Sequence, residues 1–471
     1  MPAILKPHPT TSGLTGPGPV PAPPSGAAAQ PGGRRGPEWP ALLGGGSAEA
    51  GAFRVNVGWQ LGDRVFRLVV GLVINVWIVR YLGADGLGLL GFTQSLVGLA
   101  AVAGELGLES IVVRDLVRRP GDAPAILGTA AGLRLAGSAI ALLVSLAAAT
   151  LARPGDPGVR ALTLLFASVT FFQAMDVVAW WFQSRAAFPP FIAARGAAFV
   201  VASALKVACL LGHAPLVVLA AAIALEGWLA ALGLLLAYRL QGVSLARWRF
   251  RPGLARELIG DSWPLILNSV AIVFAARTDQ VMLTLMRGEA ENGIYAAAQR
   301  LSEILYFIPV ALAAAANPGL LQLHSEDRAR YTRRLGRLFR VLLWTAIGLA
   351  LPLSLFAGPV TRLLFGRAFD ASAPVLALHL WAAPALFLGV AQTNWFIAEG
   401  RQRELMARSV VAAVVNIALN AVLIPPLGAR GSALATLLAY TVAHVLVNAI
   451  QPHTRPLFRL QCRALLPADP T

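Results

Sequence analysis

Residues 124–151 read PAILGTAAGLRLAGSAIALLVSLAAATL, and this stretch decides the fold class. It contains a single charged side chain, Arg134. A helix rises about 1.5 Å per residue, so about 20 apolar residues cross the hydrocarbon core of a bilayer. The stretch is therefore predicted to be a transmembrane helix.

The rest of the 471-residue chain has the same apolar character. Hydrophobic residues make up 57% of it and charged residues only 13%, against roughly 25% charged residues in soluble domains. The chain has too few polar groups to cover a water-soluble globule, which excludes large soluble domains. The net charge of +16 does not indicate nucleic-acid binding, because no concentrated basic face with stacking aromatic residues accompanies it.

Apolar runs of spanning length alternate with breaks marked by Arg, Gly or Pro, and they predict about twelve transmembrane helices. We place these helices at about 57–81, 87–109, 124–151, 160–183, 190–212, 215–240, 262–286, 292–323, 337–365, 372–398, 405–424 and 431–451. The predicted domains are a disordered Pro/Gly/Ala-rich tail at 1–50, six-helix bundles at 51–245 and 262–451, an interfacial connector at 246–261 and a cytoplasmic tail at 452–471.

The loops between these helices differ in arginine content on the two sides of the membrane. The arginine-rich loops contain nineteen arginines: Arg114, Arg118, Arg119, Arg185, Arg195, Arg239, Arg247, Arg249, Arg251, Arg256, Arg328, Arg330, Arg333, Arg334, Arg337, Arg340, Arg401, Arg403 and Arg408. The arginine-poor loops contain seven: Arg80, Arg153, Arg160, Arg287, Arg362, Arg367 and Arg430. Because cytoplasmic loops carry the positive excess, both termini are predicted to be cytoplasmic.

An internal repeat relates the two predicted bundles at a shift of 205 residues. The matching pairs are Gly83 with Gly288, Gly88 with Gly293, Gln94 with Gln299 and Leu96 with Leu301. A weaker echo pairs Trp181-Phe182 with Trp395-Phe396 at a shift of 214. Six spans per half give both halves one orientation, which predicts a parallel pseudo-two-fold repeat about the membrane normal, typical of transporters.

Three motifs resemble the oligosaccharide-lipid and polysaccharide flippases of the multidrug/oligosaccharidyl-lipid/polysaccharide exporter superfamily. The first runs VRYLGADGLG at 79–88, GELGL at 104–108 and VRD at 113–115. The second is Asp279 followed by GIYAAAQRL at 293–301. The third is NIALNAVLIP at 416–425. Together they extend over nearly all of residues 57–451.

The resemblance implies an all-α integral membrane protein in which two six-helix bundles form a V around a central cavity. It also implies alternating access, by which a polyprenyl-pyrophosphate-linked sugar chain moves from the cytoplasmic to the outer leaflet of a bacterial inner membrane. Such a protein acts in surface polysaccharide synthesis, for example of lipopolysaccharide O-antigen, and could work beside a polysaccharide polymerase.

A doubly charged head group needs fixed cations to cross a low-dielectric core, and arginine binds phosphate through paired hydrogen bonds. Arg277 and Arg134 are the first candidates, because each lies about two turns inside an apolar helix and they belong to opposite halves. The other candidate ligands are Lys206, Arg64, Arg67 and Arg300. The alternative roles are pairing of Arg277 with Asp279 or with a neighbouring helix, and snorkelling of Lys206, Arg64 and Arg67 to an interface.

Three acidic residues inside predicted spans could couple transport to an ion: Asp279, Asp176 and Glu226. A carboxylate in a wet cavity can exchange H+ or bind Na+, but each of the three could equally neutralise an arginine or cap a polar packing contact. Glu303 lies three residues after Arg300, a spacing that suits an ion pair. No other cofactor and no metal site is predicted, because neither Cys209 and Cys462 nor the isolated histidines have ligand spacing.

Other functions fit the sequence less well. A cation or multidrug exporter would favour an acidic, aromatic cavity, whereas the ionisable residues inside the spans are largely basic. A lipid II flippase remains open, since its substrate is also an anionic lipid-linked sugar. A membrane glycosyltransferase, polymerase or ligase is disfavoured, because the predicted outward loops are short and carry no paired acids. The chain is therefore predicted not to be an enzyme.

Overall fold

The computed structural model describes residues 47–105, 107–185 and 187–466, with side chains described except at 47–61, 63–65 and 103. The chain divides into two compact units, Met1–Val57 and Gly58–Thr471. Only residues 47–57 of the first unit are described, and they are helical. The disorder predicted for residues 1–50 therefore falls almost entirely outside the described residues.

Every regular element in the described ranges is helical, as the sequence predicts. The first half contains α1 (Ser47–Glu105), α2 (Glu109–Arg118), α3 (Ala123–Ala152), α4 (Pro157–Gln173), α5 (Val177–Ser184), α6 (Phe188–Leu211) and α7 (Leu216–Leu240). The second half contains α8 (Pro252–Arg287), α9 (Glu289–Glu303), α10 (Phe307–Glu326), α11 (Arg328–Leu355), α12 (Ala357–Phe365), α13 (Ser372–Leu380), α14 (Ala382–Ala398), α15 (Gln402–Leu427), α16 (Ala429–Thr441), α17 (Val447–Ile450) and α18 (Arg455–Ala464).

Eleven helices within the described ranges are long and apolar enough to cross a membrane, where the sequence predicts about twelve. The difference lies in α1, whose apolar region Phe66–Val102 counts as one span although the backbone at Gly83 is not helical. The two spans predicted at 57–81 and 87–109 lie on either side of that break. Separating α1 at Gly83 restores the predicted number.

The repeat predicted from the sequence is present in the backbone. Gly83 interrupts α1 with φ 64° and ψ −172°, and Gly288 separates α8 from α9 with φ 94° and ψ 178°. This region of backbone conformation is essentially restricted to glycine. The two breaks are 205 residues apart in the sequence, so each half makes the same sharp turn at its first arginine-poor loop.

The two halves meet at a symmetric contact that we call the glycine seam, formed by Gly88, Gly293, Ala84 and Glu289. A Cβ atom built on Gly88 would lie 1.8 Å from the carbonyl oxygen of Glu289, and one on Gly293 would lie 1.8 Å from that of Ala84. Ala84 and Glu289 are themselves related by the 205-residue shift. Such reciprocity is the signature of a two-fold interface, and it requires glycine on both sides.

Other contacts near the arginine-poor loops also join the two halves. Arg80 Nε donates to the carbonyl of Leu364 at 2.6 Å, and its Nη2 donates to the carbonyl of Leu363. These carbonyls end α12 and have no partner within the helix. Arg153 Nη2 lies 3.0 Å from Glu289 Oε1. The halves are therefore closed against each other at the arginine-poor face.

The aromatic pairs of the weaker repeat have matching geometry. Trp181 and Phe182 have ring centroids 5.0 Å apart at an interplanar angle of 81°, and Trp395 and Phe396 are 5.0 Å apart at 84°. All but Trp395 are buried. Edge-to-face pairs of this kind add stability beyond their buried area, and here they anchor corresponding parts of the two halves.

Helix α3, which contains the stretch 124–151, has an outer and an inner face. Large apolar side chains such as Leu143 are exposed, with 66% of that residue accessible, whereas Ala141, Ser145 and Ala149 are buried. Small residues allow helices to approach closely in a membrane, where lipid removes the hydrophobic drive for association. The exposed face therefore suits contact with acyl chains.

Two segments that the sequence predicts outside the spans contain helical residues. Residues 252–261 of the predicted connector already belong to α8, because Pro252 stands in the first turn, where its missing N–H is not needed. The predicted tail contains α18, whose Leu457 is fully buried in the core of the second half. Trp344 Nε1 donates to the carbonyl of Ala464 at 3.1 Å and fixes the end of α18.

We predict that Gly88→Ala loosens the closure at the arginine-poor face, because the added methyl must displace the backbone at Glu289 by on the order of 1 Å. The measurement is thiol labelling of Gln94→Cys with an impermeant reagent, in a chain whose Cys209 and Cys462 are replaced by serine. Labelling from the arginine-poor side should rise several-fold. Gly98→Ala, where no neighbour lies within 4 Å of the new methyl, should leave labelling unchanged, and equal labelling in both variants would contradict the seam.

Candidate functional site

A cavity of about 600 Å³ lies between the two halves. Residues of α1, α6 and α7 line it from the first half, and residues of α8, α9 and the turn after α9 line it from the second. Four cations and two acids face it among the described side chains: Arg67, Lys206, Arg277, Arg300, Glu226 and Glu303. The formal excess is two positive charges, so this cavity attracts anions.

Arg277 is the least constrained cation of the central cavity. Its side chain is exposed to the cavity, and within the described ranges it makes no hydrogen bond and no salt bridge. Asp279, two residues away, cannot share its helical face. The predicted alternative, a pair between Arg277 and Asp279, is therefore wrong, and the guanidinium keeps its donors available.

Lys206 and Glu226 form a salt bridge within the first half. Lys206 Nζ lies 2.6 Å from Glu226 Oε2, with 11% of the lysine side chain and 34% of the glutamate side chain accessible. Lys206 therefore does not snorkel to an interface. The pair lines the central cavity, and its charges largely neutralise each other.

Arg300 and Glu303 both line the central cavity but do not form the ion pair that their spacing suggests. Arg300 Nη1 donates instead to Asn75 Oδ1 of the first half at 3.5 Å. Glu303 Oε1 accepts from Gln299 Nε2 at 2.9 Å. Arg300 thus connects the halves across the cavity.

Arg67 also lies in the central cavity, with its guanidinium 5.3 Å from the ring centroid of Phe199. This distance suits a cation–π contact. Arg64, one turn earlier and also predicted to contact substrate, has a side chain outside the described residues.

A row of amides that the sequence prediction missed closes the central cavity toward the glycine seam. Ser95 Oγ donates to Gln280 Oε1 at 3.0 Å, and Gln280 Nε2 donates to Gln299 Oε1 at 2.5 Å. Asn292 Nδ2 donates to the carbonyl of Gly88 at 2.8 Å. The repeat could have pointed to these amides, because Gln94 and Gln299 are equivalent positions and both line the cavity.

Arg134 does not reach the central cavity, contrary to the shared site predicted for Arg134 and Arg277. It lines a second cavity of about 570 Å³ together with Asp176 and Arg195. The Arg134 guanidinium lies 5.1 Å from the ring centroid of Trp180. Asp176 Oδ1 accepts from Arg195 Nη2 at 2.9 Å, so Asp176 neutralises an arginine.

Asp279 is almost fully buried and faces away from both cavities, into the second half. It accepts a hydrogen bond from Tyr295 Oη and another from the backbone N–H of Gln280 at 2.8 Å. On α15, Asn420 Nδ2 donates to Asn416 Oδ1 at 2.9 Å, and Asn416 Nδ2 donates to Thr436 at 3.3 Å. The Asn420 side-chain oxygen has no hydrogen-bond partner in the described structure.

Comparison with known families gives two matches. A profile described as polysaccharide biosynthesis protein matches residues 54–324, and the MatE profile matches residues 264–422. No curated protein matches the chain significantly. The family resemblance drawn from the motifs is confirmed.

Several solved structures share the fold. The lipid II flippase MurJ in an inward closed conformation aligns with a TM-score of 0.67 at 13% identity, covering 87% of this chain and 91% of that one. An inward-facing multidrug resistance transporter of the MATE family aligns with a TM-score of 0.65 at 16% identity, covering 85% and 96%. A transporter of the same superfamily from Pyrococcus furiosus gives 0.59 at 16%, covering 92% and 99%.

We predict that Lys206→Glu lowers the thermal stability of the protein in detergent, because it leaves two carboxylates together in the central cavity. The loss should be about 1–3 kcal/mol, below that of a fully buried pair since Glu226 is partly accessible. The measurement is the unfolding temperature. The exchange Lys206→Glu with Glu226→Lys should recover most of the loss, and an exchanged chain no more stable than Lys206→Glu alone would show that the pair does not stabilise the fold.

Proposed function

Because this chain belongs to the polysaccharide biosynthesis protein family, we propose that it is a flippase for a polyprenyl-pyrophosphate-linked oligosaccharide. The substrate moves from the cytoplasmic to the outer leaflet of a bacterial inner membrane by alternating access. The product serves surface polysaccharide synthesis, such as O-antigen assembly, beside a polysaccharide polymerase.

The observation that carries this proposal is the positive excess of the central cavity. Four cations against two acids line it, and Arg277 makes no hydrogen bond or salt bridge among the described residues. A pyrophosphate diester carries two negative charges, and arginine binds phosphate oxygens through two parallel N–H donors. The charge of the cavity therefore complements the charge of the head group.

The direction of transport follows from the arginine distribution and the closed face. We propose that the arginine-rich loops and both termini lie in the cytoplasm, because cytoplasmic loops carry the positive excess. The glycine seam and the row of amides separate the central cavity from the arginine-poor face. We propose that entry of substrate from the cytoplasmic leaflet requires the halves to part on the arginine-rich side, and that release outward requires the glycine seam to part.

On the arginine-rich side, exposed ion pairs hold α2 against α8 of the other half. Arg114 Nη2 lies 2.7 Å from Asp261 Oδ2, and Arg119 Nη2 lies 2.9 Å from Glu257 Oε1. Asp115 bridges the two arginines with both carboxylate oxygens at 2.8 Å, and these acids raise the pKa of Arg114 and of Arg119. We propose that these pairs, which are formed in this structure, break when this face opens to admit substrate and form again when the other face opens.

The ionic partner in coupling is H+ or Na+, and the proposed site is Asp279. Its carboxylate and the unpartnered oxygen of Asn420 belong to a polar group inside the second half. Of the other predicted coupling residues, Glu226 pairs with Lys206 and Asp176 pairs with Arg195. Those two neutralise cations, which leaves Asp279 as the carboxylate without a basic partner.

The charge of the central cavity also bears on the alternative functions, a cation or multidrug exporter and a lipid II flippase. A cation or multidrug exporter would bind its cargo poorly in a cavity with two excess positive charges. Lipid II is another polyprenyl-pyrophosphate-linked sugar, so the same cations suit it. Transport assays run in parallel with the two lipids distinguish these substrates.

We predict that Arg277→Ala lowers flipping of a fluorescent polyprenyl-pyrophosphate-linked sugar in proteoliposomes at least tenfold, since one charge-assisted contact contributes about 1.5–3 kcal/mol. Arg337→Ala is the matched control, because Arg337 is exposed and lies outside the central cavity. Arg277→Lys should recover part of the rate. Wild-type flipping by Arg277→Ala would remove Arg277 from the head-group site.

We predict that Asp279→Asn abolishes the response of flipping to an imposed ion gradient, because the amide can neither release a proton nor neutralise a bound cation. The measurement compares flipping with and without a Na+ gradient, and separately with and without a pH gradient. Glu226→Gln in the central cavity serves as the control acid. Unchanged gradient stimulation in Asp279→Asn would exclude Asp279 as the coupling group.

A further inference from the structure

The second cavity differs from the central cavity in its chemistry. Three acids and two arginines line it, together with an amide and three aromatic rings: Glu105, Glu109, Asp176, Arg134, Arg195, Gln183, Trp180, Phe188 and Phe191. The formal charge of this set is one negative, against an excess of two positive charges in the central cavity. It is therefore a poor site for a diphosphate.

Polar groups in the second cavity are left without partners. Arg134 is 7% exposed, and among the described residues it makes no hydrogen bond or salt bridge. Its Nε atom and that of Arg195 are buried and unpartnered. An unsatisfied buried donor is costly, so this arrangement indicates a ligand or water with acceptor oxygens.

The guanidinium groups are oriented by aromatic rings rather than by acids alone. The Arg134 guanidinium lies over the ring of Trp180, 5.1 Å from its centroid, and that of Arg195 lies 5.0 Å from the ring centroid of Phe191. Stacking leaves the edge of a guanidinium free to donate hydrogen bonds. Glu105 and Glu109 are exposed and supply acceptors, so the cavity offers both donors and acceptors at short range.

Both cavities lie along one face of α6. Phe188, Phe191 and Arg195 line the second cavity, and Phe199 and Lys206 line the central one. These positions recur at three-, four- and seven-residue intervals, which is a single helical face. Arg195 and Lys206 are eleven residues apart, or about 16 Å along the helix axis.

Helix α8 of the other half follows both cavities in the same order. Ser269 lines the second cavity and Arg277 the central one. The second cavity therefore lies on the side of the central cavity nearer the arginine-rich loops. A molecule with its anionic end at Arg277 extends along α6 and α8 into the second cavity.

We propose that the second cavity binds the saccharide part of the transported lipid, an inference that rests on the proposed function. Sugar hydroxyls both donate and accept hydrogen bonds, which suits neighbouring guanidinium, carboxylate and amide groups. The apolar faces of pyranose rings suit Phe188. The central cavity then recognises the diphosphate common to such lipids, and the second cavity selects the sugar chain.

The test uses the full chain in nanodiscs and two kinds of probe. One is farnesyl pyrophosphate, which carries no sugar. The other is farnesyl pyrophosphate linked to a trisaccharide of glucose, of N-acetylglucosamine or of glucuronate. Dissociation constants are measured for the wild type, Glu109→Gln and Gln183→Ala, with Glu326→Gln as the exposed control acid. Glu109 and Gln183 are exposed to the cavity, so their substitution spares the buried packing.

We expect at least one trisaccharide probe to bind the wild type more tightly than farnesyl pyrophosphate. Glu109→Gln and Gln183→Ala should weaken that probe about tenfold, the loss of one hydrogen bond to a charged or amide group, and leave farnesyl pyrophosphate unchanged. The inference is overturned if no trisaccharide adds affinity, if neither variant weakens the sugar probe, or if both probes weaken equally.

The same experiment keeps the two proposals separate. Arg277→Gln in the central cavity should weaken all probes alike, because each carries the diphosphate. If farnesyl pyrophosphate binds the wild type and Arg277→Gln equally, the proposed head-group site fails, whatever the second cavity binds. If Arg277→Gln weakens all probes but Glu109→Gln and Gln183→Ala bind them as the wild type does, the proposed function stands and the saccharide site is rejected.

Discussion

The cost of placing a charge inside a membrane-spanning bundle determines where the ionisable side chains of the described spans lie. Such charges are stable only when they face a partner or water. The structure uses both solutions, since Lys206 pairs with Glu226 whereas Arg277 faces the central cavity. A cavity that holds an unpaired arginine must stay wet without ligand, so a bound anion replaces water rather than apolar contacts.

The sequence predicted the helices, the repeat and the charges of Arg134, Lys206 and Asp279 inside the spans, because each depends on composition or on local spacing. It assigned Arg408, which is buried, to a loop. It could not assign partners between distant segments. Arg134 and Arg277 satisfy the same rule, a single arginine about two turns inside an apolar helix, yet they lie in different cavities. The two arginines differ because of how the helices pack around Trp180, and the periodicity of a single helix does not predict that packing.

The repeat also separates what is symmetric in the molecule from what is not. The backbone breaks at Gly83 and Gly288 and the glycine seam follow the two-fold relation closely. The charges do not follow it, since the repeat places Leu72 opposite Arg277 and Ile272 opposite Arg67. A symmetric seam lets the halves part and close by one rotation, whereas an asymmetric cavity allows one end of a substrate to be distinguished from the other.

The cations of the central cavity belong to both halves of the molecule, and this division determines how a substrate can change the conformation. Arg67 and Lys206 come from the first half, and Arg277 and Arg300 come from the second. A ligand shifts a conformational equilibrium only by its difference in affinity between the states. A diphosphate held by both halves binds the two states with different affinity, because separating the halves on one side moves some of the cations away from it. The coupling of substrate to motion therefore depends on dividing the positive charge between the two bundles.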